Sequence, residues 1–409
     1  MGYASEGHDV ALLTGREAGE MLRAAFGRSV IVRDWSVHSL HHRPGAGVSV
    51  GYSVTLDRVG SQGELTRCEE YVCASTAKLA NSQLDSLVRM NYGDTKVSVW
   101  RYPEDPELPA LPIACSPSHM SVLLGKPVTV ELMSYRPTRR AVVRARDEEG
   151  RALYGKVMRP KQAKALAKRQ RLISDSDVPS PRLILDDPRG LVLTSAASGV
   201  PLSHALSHGM GAGSGQMLFS LNSTLDALPH EVMDLPARPG WAEKAGHYAH
   251  AAATALPEER KRCEDLAAGI NRFLTVTDPG KRVPVHGDFY EANIYVDVDK
   301  ACVTGIIDID SLGPGYRVDD WACLLGHVSV LPSLAPKSYP HVESEMESWV
   351  SLLEEMVDPA ALSARTAGVV LSLVAGAKRV DGRPWKEDAL SRLATAERWL
   401  ERARYHRSR

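Results

Sequence analysis

The stretch from residue 283 to residue 310 limits the fold more than any other part of the chain. It reads Val283-Pro284-Val285, then His286-Gly287-Asp288-Phe289-Tyr290-Glu291-Ala292-Asn293, then Ile294-Tyr295-Val296, and it closes on Ile306-Ile307-Asp308-Ile309-Asp310. A short apolar strand over 283–285 delivers His286, Gly287 and Asp288 into a tight loop. Asn293 returns at the head of a second strand, 294–296. Asp297, Val298, Asp299 and Lys300 are turn residues that reverse the chain, and 303–307 runs back. Such a hairpin brings Asp308 close to Asn293. One place then receives a loop aspartate, an amide oxygen and a second aspartate. Phosphoryl transfer needs this set: one carboxylate to take a hydroxyl proton, and oxygen ligands for magnesium on a triphosphate.

His-Gly-Asp with an asparagine five positions on, followed by Ile-Ile-Asp-Ile-Asp, resembles the catalytic loop and metal-binding segment of the aminoglycoside phosphotransferase/choline kinase-like superfamily. These are small-molecule relatives of protein kinases. The resemblance implies an α+β, bilobal protein-kinase-like fold with an antiparallel-sheet N-lobe and a mainly helical C-lobe. To these the chain adds an N-terminal α+β cap domain. The divisions expected are a cap over 1–115, a kinase-like N-lobe over 116–198, and a helical C-lobe with the catalytic loop over 199–409. ATP and Mg2+ are the cofactors implied. Asp288 would orient and deprotonate the acceptor hydroxyl, while Asn293 and Asp308 hold the metal–nucleotide. Asp310 would join the metal shell or meet the acceptor, and His286 would support the loop. Asp320, with Asp319 next, matches the aspartate that accepts hydrogen bonds from the catalytic-loop backbone; the alternative is a negative charge complementing a helix N-terminus.

Composition narrows the partners. The chain has 409 residues, enough for two or three domains and ample core. Basic and acidic residues nearly cancel, leaving a formal net charge of −1, so a nucleic-acid partner is not expected. The six cysteines contain no Cys-x-x-Cys pair and read as free thiols in a reducing cytoplasm. Residues 1–10 are polar, with Glu6, His8 and Asp9, and do not read as a secretory segment. Glu6 also stands where a myristoylation signal wants Ser or Thr. The weakly apolar run 367–377 is too short to span a bilayer. The expectation is a cytoplasmic protein with no membrane partner.

Ahead of the hairpin, Thr14-Gly15-Arg16-Glu17 reads as a capping box before a helix whose inner face is Ala18, Met21, Leu22, Ala25 and Phe26. Strands are expected at 29–32, 48–56 and 68–73, the last two joined by a loop containing Gly60 and Gly63. A helix is expected over 76–90 and a strand over 96–100. Prolines at 103, 106, 109, 112 and 117 make 101–118 an extended connector. His42-Arg43-Pro44 before one meander and Tyr135-Arg136-Pro137 before a second, 141–146 with 153–158, suggest related topology. Lys156 in the second meander, with a helix following, sits where kinase-like folds hold a phosphate-contacting lysine; the alternative is a snorkelling edge-strand lysine. That helix has no glutamate to pair with it, and no Gly-x-Gly-x-x-Gly loop lies near 134–140. Arg139 or Arg140 could meet phosphate instead, or be solvated. A hairpin over 183–194 and a linker at 194–199, where the resemblance puts adenine contacts, precede a mostly helical remainder.

The leading domain, the Arg-Pro strand entry and the lysine strand are similar to the bacterial maltokinase/glucosamine kinase-like branch, which implies a sugar or amino sugar as acceptor. An aminoglycoside or other antibiotic is the second choice, because cationic acceptors suit a cleft lined with carboxylates. Glu291, Asp310, Asp319, Trp241 and Trp321 are candidate acceptor contacts, with surface or packing roles as the alternative. A third reading is a catalytically weak kinase-fold binding or scaffold protein, favoured by the missing glutamate. Against it stand Asp288, Asn293 and Asp308, which are costly to hold in a cleft without a ligand.

Overall fold

The computed structural model describes residues 2–27, 30–42, 47–59, 64–80, 84, 86–378 and 384–408. It divides into two compact units, Met1–Ala167 with Leu183–Ala196, and Lys168–Arg182 with Ala197–Arg409.

The first unit holds two five-stranded antiparallel sheets. In the leading sheet the spatial order is Val30–His42, Val48–Val59, Leu65–Ser75, Thr95–Arg101, Val88–Tyr92. Strict alternation explains its packed face: Val48, Val50, Tyr52, Val54 and Leu56 are all essentially buried. Against them lie Leu13 of helix Gly2–Thr14 and Met21, Leu22 and Phe26 of helix Arg16–Phe26. The Tyr52 hydroxyl donates to the Leu13 carbonyl at 2.7 Å, so its polar end is satisfied inside the core.

Several expectations fail here for identifiable reasons. Thr14 is not a cap, because its hydroxyl donates back to the Val10 carbonyl at 2.8 Å. Gly15 takes the cap position with no side-chain bond. The residues placed in a helix over 76–90 hold strand Val88–Tyr92 instead, whose Val88, Met90 and Tyr92 alternate with polar neighbours before a turn at Gly93. Within 101–118, helices Leu111–Ala114 and Pro117–Leu124 carry Pro112 and Pro117 in their first turns, where a missing N–H has no partner to lose. Arg43, Pro44, Gly60 and Gly63 lie outside the described residues.

The second sheet runs Val128–Arg136, Arg140–Asp147, Ala152–Met158, Leu191–Ser195, Leu183–Asp187. Its first strand went unread in the sequence. Val143, Ala145, Val157, Leu191 and Leu193 pack with Leu108, Leu111 and Met120. Lys156 pairs across to Val142 on one side and Val192 on the other, so its strand is the middle one and the edge-strand alternative falls. The helix that follows, Pro160–Ser174, carries no acidic residue.

The second unit is mainly helical. Helix Pro359–Val374 is its centre, buried along almost its whole length. Asp358 starts it by accepting from Ala360 N at 2.8 Å and Ala361 N at 3.0 Å, with Pro359 in the first turn. The run Pro359–Ala377 is longer than the sequence reading allowed and by length and composition could cross a bilayer; 78% of it is buried inside the protein. Arg260–Val276 buries Cys263, Leu266, Ala267 and Ile270 at helical spacing. Two small sheets complete the unit. Val200–Pro201, Ile294–Asp297 and Cys302–Ile306 form one, and Arg282–Val285 with Gly313–Tyr316 the other.

Candidate active site

The site grows from those two small sheets. Strand Arg282–Val285, held by Gly313–Tyr316 with Val285 opposite Gly313, ends at His286. Three anchors then fix the loop. The fully buried Asp320 carboxylate accepts from His286 N at 3.1 Å and from Gly287 N at 2.8 Å. His286 Nε2 lies 3.0 Å from the Ile307 carbonyl, and Asp288 N donates to His286 Nδ1 at 3.3 Å. A carbonyl can only accept, so Nε2 bears the proton and the ring is the neutral tautomer. Both ring nitrogens are used in bracing the loop. Gly287 has φ 77°, and a Cβ there would lie 2.8 Å from the Ser311 carbonyl oxygen, so the turn requires glycine.

Asn293 and Asp308 meet through the hairpin register. Ile294 faces Ile306, and Ile307 N donates to the Asn293 carbonyl at 2.9 Å. The Asn293 side-chain nitrogen donates to the Asp288 carbonyl at 3.0 Å, which leaves its amide oxygen as the acceptor available to a cation. Asp308 adopts left-handed backbone, φ 59° and ψ 45°, which costs a non-glycine residue about 1–3 kcal/mol and is concentrated at functional sites. Tyr290 senses all the acids of this corner: its phenol is pushed up to about 12, first by burial, then by the charges of Asp288, Asp308 and Glu291. The structure thus brings Asp288, Asn293, Asp308 and Glu291 together.

Among the described residues no group of three or more His, Cys, Asp or Glu is set to hold a metal ion. Asn293 and Asp308 still fit magnesium, which is commonly bound through one or two protein oxygens and completes its shell with phosphates and water. Asp310, in the turn Ile309–Ser311, lies within electrostatic reach of Arg169, whose Nε donates to the Leu312 carbonyl at 2.9 Å. Arg238 donates to the neighbouring Ser311 hydroxyl at 3.0 Å. Neither arginine was read in the sequence.

Other assignments change. Trp321 is fully buried, edge-on to Phe289, so it is a core residue and not an acceptor contact. Asp319 forms a 2.7 Å ion pair with Arg365, both largely buried, so its charge is committed inside the fold. Asp320 lies in the first turn of Arg317–Val328, 3.4 Å from Arg317. Burial raises its carboxyl to about 6 despite Arg317 and the two backbone donors. Glu291 is buried too, with Oε2 lacking a hydrogen-bond partner among the described residues; burial raises its carboxyl to about 7. Tyr248, on helix Ala245–Ala255, was missed. Its phenol is pushed up to about 12 by burial and then by Asp288, and its ring stacks on Trp241 at 6.0 Å. Lys156 stands on the middle strand of its own sheet, in the first unit.

No curated protein matches this chain. Residues 138–337 match the family model described as the phosphotransferase enzyme family, APH. Among solved structures, a thermostable mutant of aminoglycoside phosphotransferase APH(4)-Ia is similar with a TM-score of 0.50 and 14% identity, over 70% of this chain and 98% of that one. An ethanolamine kinase from Plasmodium vivax has a TM-score of 0.43 and 11% identity, over 66% of this chain and 82% of that one. The first of these likenesses gives the same kinase-like fold, antiparallel sheet followed by helices. The segment 138–337, with the histidine-braced loop and hairpin it contains, thus matches the phosphotransferase enzyme family.

Proposed function

We propose that this chain transfers the terminal phosphoryl group of ATP to a hydroxyl of a small polar molecule, first of all a sugar or amino sugar. One observation carries the reading: the loop and hairpin bring Asp288, Asn293 and Asp308 to one corner, tied by the 3.0 Å bond from the Asn293 amide to the Asp288 carbonyl. Asp288 orients the acceptor hydroxyl and takes its proton late in a loose transition state. Asn293 and Asp308 hold Mg2+, and Asp310 supports that corner from the adjoining turn. The bound metal neutralises charge on the phosphates. Lys156 meets the non-transferred phosphates. His286 and Asp320 keep the loop in shape and carry no proton in the reaction. Tyr248, Tyr290 and Trp241 offer aromatic surface beside Asp288 to the acceptor, which suits the apolar face of a sugar ring.

Residues 1–115 are proposed as a cap ahead of an N-lobe over 116–198 and a C-lobe over 199–409, in a cytoplasmic enzyme. An aminoglycoside remains the second acceptor class, since the carboxylates of Asp288 and Asp308 would attract a cationic ring. The acid-free helix Pro160–Ser174 favours a second reading, a nucleotide-binding scaffold of weak activity. Substituting Asp288→Asn separates the two. On the enzyme reading turnover falls ~10²–10⁴-fold while MgATP affinity by calorimetry stays within a few-fold. Equal turnover in both proteins removes Asp288 from the mechanism, and no MgATP binding at millimolar nucleotide leaves only the scaffold. ADP release with sugars, amino sugars and aminoglycosides then identifies the acceptor.

A further inference from the structure

In the second unit, helices Val342–Met356 and Lys386–Arg407 are the walls of a groove of about 550 Å3, within the range of ~300–1,000 Å3 usual for small-molecule sites. Helical spacing builds each wall. Glu343, Met346, Glu347 and Val350 share one face of the first helix, and Arg398, Trp399 and Arg402 share one face of the second. Val350 is 3% exposed and Trp399 7%, and with half-buried Met346 they make an apolar floor. The Trp399 indole N–H has no protein acceptor among the described residues, so the floor also offers one donor.

The two rims carry opposite charge. Glu343 and Glu347 are exposed, lie one turn apart, and pair with no cation among the described residues. Carboxylates at that spacing repel each other. On the other rim Arg398 donates to the Thr395 hydroxyl at 2.9 Å and has no carboxylate partner among the described residues. Arg402 is committed: Glu354 accepts from its Nε at 2.7 Å and lies 3.0 Å from His406 Nε2, which ties the two helices together. Among the described residues no ion pair joins Glu343 or Glu347 to Arg398, so the space between the rims is wider than a direct pair spans.

We propose that this groove binds a small zwitterion, an amino acid or short peptide with free termini and an apolar side chain. Its ammonium group lies toward Glu343 and Glu347, its carboxylate toward Arg398 and the Trp399 N–H, and its side chain on the floor. A guanidinium matches a carboxylate in shape as well as charge. A ligand of one sign alone would meet its own sign on one rim, and a neutral apolar one would strip water from unpaired charges. The groove shares no residue with Asp288, Asn293 and Asp308, nor with Tyr248, Tyr290 and Trp241. Apart from Ser329 its lining lies beyond the matched segment 138–337. The inference does not depend on the phosphotransfer reading.

Calorimetry on the full chain without nucleotide tests it, with leucine as one probe and the dipeptide leucylglycine as the other. Saturable binding is expected, weakened about tenfold or more by Glu347→Lys or Arg398→Glu, as for a lost charge-assisted bond. Leucinamide keeps only the cation and N-acetylleucine only the anion, and each should bind about tenfold more weakly than leucine. Neither zwitterion has a hydroxyl to phosphorylate, so Asp288→Asn should leave their binding unchanged. Tighter leucine marks a single amino acid as the occupant, and tighter leucylglycine a peptide. Glu347 and Arg398 are exposed, so their reversal leaves the core alone, and thermal melts check that both variants are folded. No saturable binding of either zwitterion at millimolar concentration overturns the proposal. So does binding that ignores both charge reversals, binding of a singly charged analogue as tight as that of leucine, or binding lost in Asp288→Asn.

Discussion

Two loops of this protein use one device to opposite ends. In the second unit Asp320, buried, accepts the N–H groups of His286 and Gly287 and shapes a loop that carries Asp288. In the first unit Asp105, buried, accepts the N–H groups of Thr138 and Glu107 and shapes a turn that carries Arg136, Arg139 and Arg140. Burial raises both carboxyls, and the N–H donors pull against it. The difference lies in what else is attached. Asp320 also faces Arg317 and supports a loop fixed again by His286, whereas Asp105 has only neutral donors, the Tyr135 hydroxyl among them. A buried carboxylate can therefore build either an acidic or a basic site, and the charge displayed says little about the charge underneath.

Removing each anchor is the most direct way to break the parallel. Asp320→Ala strands two buried N–H groups and takes from Arg317 its buried carboxylate partner, leaving it Asp226 and the Leu225 carbonyl, so it should cost about 3 kcal/mol or more in chemical denaturation and abolish turnover. A folded, fully active Asp320→Ala protein would show that the loop holds itself. For Asp105→Ala the expected loss is smaller, about 2 kcal/mol, because no charged partner is abandoned. Its turnover should survive. Equal losses in both variants would erase the distinction drawn here.

The smallest effect concerns Glu291. Burial raises its carboxyl from 4.5 to about 7, so the folded chain binds that proton more tightly than the unfolded chain. The stability contributed is complete below pH 4.5 and is lost as pH rises through about 7. Melting wild type and Glu291→Gln side by side should show their midpoints diverging between pH 5 and pH 8, with wild type falling relative to the variant. Parallel curves would mean that Glu291 titrates normally.

How much of this was legible depended on distance along the chain. Asp288, Asn293 and Asp308 lie within one loop and hairpin, and period-two alternation and turn residues determine such a hairpin locally. The two meanders were visible for the same reason. Strand Val88–Tyr92 also alternates, but only over five residues, and helix-permissive neighbours hid it. Prolines 112 and 117 were read as breakers although a first helical turn accepts them. Trp321 and Asp319 beside the motif were credited with contacts that burial forbids, and burial is decided by helices far off in sequence, such as the one carrying Arg365. The charged groove draws on three separate segments, each unremarkable alone, so no local pattern announces it.

The histidine brace has one more consequence. Through its two ring nitrogens His286 joins the amide of Asp288 to the carbonyl just before Asp308. The span between those two aspartates is therefore set by main chain and one imidazole, with no long, flexible arm in the path. Only the short side chains of the two aspartates are left to adjust the distance between their carboxylates.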